Sequence, residues 1–309
     1  MSEAAFYCMS SAAHFLGAVG MINSLRLQGH TESIYLLDLG LTDAQRELLA
    51  AEATIVPAPS GTQPWLSKTI APLAHPAETM ILIDSDIIVT RPLGELLERG
   101  AGGGVVAFEN DVQRFVGEWG ELLDLGPVRP GPYVSSGLVM LGGDTGAEVL
   151  RLLDDRQHRV EFERSYFGAD EPGYALRFLD QDVLNAVLRT RIDPDSVHTM
   201  PYGLMPNQPF QGLRILDERS LCCAYGDGAE PYAVHHFSRK PWIARQRANV
   251  YSLLLTRCLV GPGLALGVEE EKVPLRLRRG AAARTARLAV DIGIGGPAAI
   301  RRRMAGERH

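Results

Sequence analysis

The stretch that most constrains this 309-residue chain is Thr79–Ile83 (TMILI). It is an unbroken apolar run that passes straight into Asp84-Ser85-Asp86 and then into a second apolar run, Ile87–Val89. A short run that is apolar at every position reads as a strand buried on both faces, the kind found in a parallel sheet covered by helices. Residues i and i+2 of an extended segment point the same way. Asp84 and Asp86 can therefore converge at the carboxyl end of that strand, where open α/β sheets hold ligands. Two hard oxygen ligands suit Mg²⁺ or Mn²⁺ bound together with substrate phosphates. A solvated turn is the plainer reading of an Asp-x-Asp alone. The apolar residues on both sides weigh against it, because burying two unpaired charges is costly.

The rest of the chain repeats the alternation of strand and helix. Ala5–Met9 reads as a first strand, and the spacing of Val19, Ile22 and Leu25 predicts a helix over Gly17–Leu27. Ser33–Asp38 is a second strand. Thr42 begins a helix with Gln45 three residues on, the capping-box pattern. Thr54–Val56, Val105–Phe108, Leu138–Leu141 and Tyr232–Phe237 follow as strands, and Gln181–Arg189 has helical spacing. The expected class is α/β with a mainly parallel sheet. After about Gly261 the pattern gives way to GPG, GIGG and Arg-rich runs, which read as an appendage. We therefore expect one domain over residues 1–260 and a basic extension over 261–309.

Charge and cysteine usage narrow the class further. Lys272–His309 carries ten Lys/Arg against two Asp/Glu, a net +8, which leaves −14 on the first 271 residues of a chain whose total is −6. An acidic body argues against nucleic-acid binding. A basic tail suits anionic lipid headgroups or is a solvated extension. The N-terminus opens with Glu3, and His14 interrupts its apolar run, so it reads as strand and helix rather than as a signal peptide. No apolar stretch is long enough for a spanning helix. Cys8, Cys222, Cys223 and Cys258 have no CxxC spacing and read as reduced thiols of a cytoplasmic protein, peripheral to a membrane if the tail meets lipid.

Three further motifs carry polar chemistry. His235-His236-Phe237-Ser238-Arg239-Lys240-Pro241-Trp242 offers an imidazole at a strand end and a lysine able to meet a phosphate as a point charge. Its plainer reading is one buried and one exposed histidine beside an aromatic anchor. Leu179-Asp180-Gln181-Asp182 reads also as an ordinary acidic helix start, and Tyr133-Val134-Ser135-Ser136-Gly137 as a turn into a strand.

Taken in order, MILIDSDIIVTRPL, YVSSGLVML, FLDQDVLNAVL and VHHFSRKPW, with CMSSAAHFLGAVGMINSL before them, resemble glycosyltransferase family 8 over roughly the first 245 residues. That resemblance implies a GT-A fold with a single Rossmann-like nucleotide-binding domain, a mixed central sheet, a UDP-sugar donor, Mn²⁺ (or Mg²⁺) and retention of anomeric configuration. It implies Asp84, Asp86 and His236 as metal ligands, with Ser85 between the two carboxylates at the donor. Lys240 would meet the diphosphate, and Lys68 in WLSKTIAPL would be the basic residue near the donor. Asp180 would bond sugar hydroxyls, Gln181 would lie close to the anomeric carbon, and Glu109 would be a further acidic sugar contact. Ser10, Ser11 and His14 would hold the nucleoside, and Ser135 and Ser136 would border the sugar. The sequence departs from the family pattern in three places. Ser135 stands where Asn is frequent, only Ser238 and Arg239 separate Phe237 from Lys240, and the first loop lacks the family's frequent Asp. The acceptor is unspecified, with a cell-envelope glycan and a small natural product both compatible. Two other classes remain open at this level: a nucleotidyltransferase, which usually needs a Gly-rich N-terminal phosphate loop that FYCMSSAAHF does not supply, and a non-catalytic nucleotide-sugar-binding scaffold.

Overall fold

The computed structural model describes residues 3–237, 239–243, 247–290 and 292–293. These fall into two compact units that interleave along the chain. The first comprises the described residues of Met1–Ala12, Thr31–Ser85 and Pro92–Met205; the second comprises those of Ala13–His30, Asp86–Arg91 and Pro206–His309. The strands in chain order are β1 (Ala4–Ser10), β2 (Ser33–Asp38), β3 (Thr54–Pro57), β4 (Thr79–Ile83), β5 (Ile87–Val89), β6 (Val105–Glu109), β7 (Val134–Gly142), β8 (Val197–Met200), β9 (Arg214–Asp217), β10 (Cys222–Ala224) and β11 (Ala233–His235). The helices are α1 (Phe15–Leu27), α2 (Asp43–Leu49), α3 (Ile70–Ala74), α4 (Gly94–Ala101), α5 (Trp119–Leu122), α6 (Gly143–Gln157), α7 (Asp180–Thr190) and α8 (Val250–Val260).

The first unit is built on a seven-stranded mixed sheet in the order β3-β2-β1-β4-β7-β6-β8. Only β7 runs against its neighbours: it pairs antiparallel with β4 and β6, and every other pairing is parallel. The carboxyl ends of β1, β4 and β6 therefore share one edge of the sheet with the amino end of β7. All five residues of β4 are buried, which accounts for the unbroken apolar run. The capping box expected at α2 forms: Thr42 Oγ1 accepts from the Gln45 backbone N–H, and Gln45 Oε1 accepts from the Thr42 N–H.

Strand β7 is longer than its apolar core, Leu138–Leu141, predicts. Its first residues come from the Val134-Ser135-Ser136-Gly137 stretch, which has little strand propensity of its own. They are held by α7, whose Asn185 amide both accepts from the Val134 N–H and donates to the Val134 carbonyl, at 2.8 Å each. Tertiary pairing here overrides local preference. At the far end of β7, a Cβ on Gly142 would lie 1.8 Å from the carbonyl oxygen of Gly100, so glycine is required where α4 passes the strand.

The second unit packs α1 against α8 and pairs β5 antiparallel with β11, with a separate β9–β10 hairpin. Helix α8 is apolar nearly all round (VYSLLLTRCLV), as a helix buried on most faces must be. Asn23 of α1 is fully buried. Its amide donates to the carbonyls of Cys258 and Leu266, and its oxygen accepts from the Leu266 N–H. The segment beyond α8 is tied to the unit by these bonds and by burial of Leu266, Val273, Leu277 and Ala283, so residues 266–283 carry more packing than the expected extension over 261–309 implied. Residues 281–290 are helical, and the Arg-rich run at 301–303 lies outside the described residues. No helix among the described residues is long and apolar enough to cross a membrane.

Candidate active site

In the first unit, the polar residues collect at the carboxyl edge of the sheet. Asp84 follows directly on β4, and its backbone N–H donates to the Gly137 carbonyl of β7 at 2.8 Å. Lys68, between β3 and α3, reaches the same edge with its side chain nearly buried. Its ammonium lies 2.9 Å from Asp84 Oδ1 and 3.0 Å from Asp180 Oδ2, and it donates to the Ser136 carbonyl at 3.0 Å. Burial alone would pull the Lys68 ammonium down. The carboxylates of Asp180 and Asp84 outweigh it and hold the pKa above its ordinary value.

Asp180 and Gln181 open α7, and the residue before them is strained. Leu179 has φ +54° and ψ −128°, a conformation rarely adopted by a bulky residue. Such strain costs on the order of 1–3 kcal/mol and persists only where surrounding structure imposes it. Here Leu179 is buried, and its carbonyl accepts from the Asp182 and Val183 N–H groups. The turn sends Asp180 toward Lys68 and Gln181 toward β7, where Gln181 Oε1 accepts from the Ser136 N–H at 3.2 Å. Ser135 Oγ accepts from the Gly137 N–H. Ser10 and Ser11 end and follow β1, and Glu109 ends β6, so all three stand on this sheet edge.

In the second unit, Asp86 begins the segment that becomes β5. Its Oδ1 lies 3.3 Å from His235 Nε2, the last residue of β11, and its Oδ2 pairs with Lys240. Burial pushes the Asp86 carboxyl up, but Lys240 and His235 outweigh it and hold it well below the usual carboxylate range. Lys240 also donates to the His236 carbonyl at 2.7 Å. Trp242 anchors this loop by donating its indole N–H to the Ala13 carbonyl at 2.7 Å. Its ring meets His14 edge-on, with centroids 6.4 Å apart. Burial, with Lys240 adding to it against Asp86, lowers the His14 pKa.

The imidazole that reaches Asp86 is thus His235, where the family resemblance implied His236. His236 is fully buried and its ring lies 4.9 Å from that of Tyr251. Burial, then Lys240, lowers its pKa to about 4. Adjacent strand residues point to opposite faces, and a His-His pair alone does not say which face meets the carboxylates. The pairing of His235 with Ile87 across the β5–β11 ladder settles it. Sequence reasoning also missed Tyr133, Asp182 and Arg114. Asp182 is fully buried and accepts from Tyr133 Oη at 2.7 Å, Arg114 Nε at 3.1 Å and the Phe178 N–H at 2.8 Å. A second acidic residue in the same helical turn, Asp182 after Asp180, was the available signal.

Three solved structures share this architecture. The galactosyltransferase LgtC, solved with donor and acceptor sugar analogues, is 15% identical, with a TM-score of 0.54 over 87% of this chain and 100% of its own. The bifunctional glycosyltransferase WbbM is 15% identical, with a TM-score of 0.56 over 83% of this chain, which spans half of WbbM's length. The glycosyltransferase GlyE of Streptococcus pneumoniae TIGR4 is 15% identical, with a TM-score of 0.51 over 84% of this chain and 61% of its own. This chain has the GT-A glycosyltransferase fold. No protein-family model and no curated protein matches the sequence. Within the GT-A fold, the Asp84-Ser85-Asp86 turn sits at the carboxyl end of a central parallel strand, β4, the location at which open α/β sheets take their ligands.

Proposed function

We propose that this chain is a divalent-metal-dependent glycosyltransferase that moves a hexosyl group, with retention, from a UDP-sugar to an acceptor hydroxyl. The observation that carries the reading is the pair of carboxylates on one tripeptide after β4, each held by its own buried cationic side chain. The proposed ligands for the cation are Asp84 of the first unit and, of the second, Asp86 with the His235 imidazole beside it, His235 taking the place the family resemblance gave to His236. The residues fit such an ion: hard oxygens and an imidazole nitrogen suit Mn²⁺, and Asp86 stays ionised at neutral pH because of its basic neighbours. When bound, the cation would supply Lewis-acid stabilisation of the departing diphosphate.

The chain's own residues do the rest. Lys240 turns from Asp86 to a phosphate oxygen as negative charge develops there. Lys68 holds Asp180 in a fixed orientation from which its free carboxylate lone pairs accept sugar hydroxyls. Gln181 lines the anomeric carbon. Its amide is too weakly basic to serve as a nucleophile, so the acceptor attacks from the front side and its proton passes to the leaving phosphate oxygen. Ser10, Ser11 and His14 hold the nucleoside, with Ser85, Glu109, Ser135 and Ser136 around the sugar. The fold class shared with LgtC, WbbM and GlyE supports the transferase reading over a nucleotidyltransferase. We further propose that the basic residues after Lys272 make a peripheral contact with the cytoplasmic face of a membrane.

Incubation of the protein with a panel of nucleotide sugars and Mn²⁺ tests the reading. Slow release of nucleoside diphosphate and free sugar is the expected result. Release of pyrophosphate would assign a nucleotidyltransferase, and no turnover together with a nucleotide-induced rise in Tm would assign a binding scaffold. An acceptor product of inverted configuration would refute front-side attack.

A further inference from the structure

Behind Gln181 lies a chain of buried polar groups that the transfer chemistry above does not use. The Gln181 amide is gripped at both ends: its oxygen accepts from the Ser136 N–H at 3.2 Å, and its nitrogen donates to Tyr133 Oη at 3.1 Å. Tyr133 is fully buried, with its ring stacked on Trp119 at 6.2 Å between centroids. Its hydroxyl donates to Asp182 Oδ1 at 2.7 Å. Asp182 is itself fully buried and takes two more donors, Arg114 Nε and the Phe178 N–H. Arg114 in turn spans from Asp182 to the carbonyls of Tyr174 and Ala175.

The proton inventory makes this chain directional. A carboxylate only accepts, so the single phenolic proton of Tyr133 goes to Asp182, and the phenolic oxygen is left to accept from Gln181. The nitrogen of Gln181 must then face Tyr133 and its oxygen must face Ser136. Reversing the amide would set its oxygen against a phenol oxygen with no proton to give, and its NH₂ against the Ser136 N–H. One orientation of the amide survives, with one N–H and one lone pair left over.

We propose that Tyr133 and Asp182 are positioning residues that lock the Gln181 amide in a single orientation toward the anomeric centre of the bound sugar. The inference rests on the glycosyltransferase reading and extends it to residues outside the donor site. Orientation fixed before reaction avoids reorganisation as charge develops. Asp182 draws the phenolic proton away from Gln181; burial raises the Asp182 pKa, and Arg114, the Phe178 N–H and Tyr133 oppose that rise.

Tyr133→Phe removes one oxygen and keeps the ring on Trp119. Its expected effect is a fall in kcat of about 10- to 100-fold with donor KM changed by less than about 3-fold, the scale of a misplaced group at a reacting centre. In a Gln181→Ala background the same substitution should add nothing, since Tyr133 acts through Gln181. A readout independent of turnover is hydrogen exchange of the Gln181 side-chain amide in ¹⁵N spectra, assigned by its loss in Gln181→Ala. It should be protected in the wild type and lose at least about 10-fold of that protection in Tyr133→Phe, in line with loss of a buried hydrogen bond. Additive kinetic effects, or unchanged amide exchange, would overturn the proposal. If Tyr133→Phe does not fold, the wild type decides: a Gln181 amide exchanging as fast as exposed glutamines overturns it. A protected amide in a wild type that turns over no nucleotide sugar would support the lock and sink the transferase reading.

Discussion

Lys68→Met isolates the electrostatics of the sheet edge. The Lys68 ammonium sits within 3.0 Å of carboxylate oxygens of both Asp84 and Asp180, and all three side chains are at least three-quarters buried, at 10%, 24% and 17% exposed. Methionine fills a similar volume but leaves two carboxylates facing each other and the Ser136 carbonyl without its donor. Removing one member of a buried ion pair costs about 3–5 kcal/mol, because the partner charge stays buried and uncompensated. At about 2–4 °C per kcal/mol for a chain of this size, Tm should fall by about 6–20 °C at pH 8. The pH dependence gives the sharper test. In the wild type the Lys68 pKa is raised, so its stabilisation is fully present below its unfolded value near 10.4 and is lost only as pH rises beyond that. It is therefore constant between pH 5 and 8. In Lys68→Met the two facing carboxylates bind a proton more readily folded than unfolded, so the deficit is largest at pH 8 and shrinks toward pH 5. Urea unfolding at both pH values reads this directly. A variant within about 1 kcal/mol of wild type at pH 8, or one whose deficit ignores pH, would show that the ion-pair argument is wrong.

Asp86→Asn should abolish metal-stimulated donor turnover with little change in far-UV circular dichroism; near-full activity in chelator-treated buffer would remove the metal assignment. His235→Ala should weaken Mn²⁺ activation by at least about 10- to 100-fold in a metal titration, and an equal or larger loss in His236→Ala would return the ligand role to His236. His236 is buried with its pKa lowered to about 4, so from pH 6.5 downward the unfolded chain binds a proton that the folded chain refuses. Stability should fall by up to about 3 kcal/mol between pH 6.5 and 4; a flat profile in urea unfolding would contradict that burial. Ending the chain at Lys272 removes Val273 and Leu277, both buried, and the Arg276 bond to the Pro241 carbonyl. At about 1.5–3 kcal/mol per buried aliphatic side chain, the loss is about 3–6 kcal/mol, so calorimetry should show a lower Tm as well as weaker sedimentation with anionic vesicles. An unchanged Tm would make the segment a solvated extension.

Where physics is local, the sequence was enough. TMILI reads as a strand covered on both faces, and β4 occupies Thr79–Ile83. The capping box at Thr42 and Gln45 formed because both partners lie within one helical turn. The same regularity gave an α/β class and put Asp84 at a strand's carboxyl end. The strand and helix starts at Val134 and Asp180 were legible only as motifs, because the groups that hold them, Asn185 and Lys68, lie 51 and 112 positions away.

Other features depend on contacts between segments far apart in the chain. A His-His dipeptide presents one ring to each face of its strand, and only the register of β11 on β5 turned His235 to Asp86. Asp180, Gln181 and Asp182 follow one another in a single turn at an acidic helix start. The strained turn at Leu179 sends the first to Lys68, the second to Ser136 and Tyr133, and the third into a buried network with Arg114. Residue types and the strand that bears them were readable without coordinates, because apolar period and capping act within a few residues. Which carboxylate met which cation was left to the folded chain, because long-range pairing depends on sheet register and on the turns that bring distant segments together.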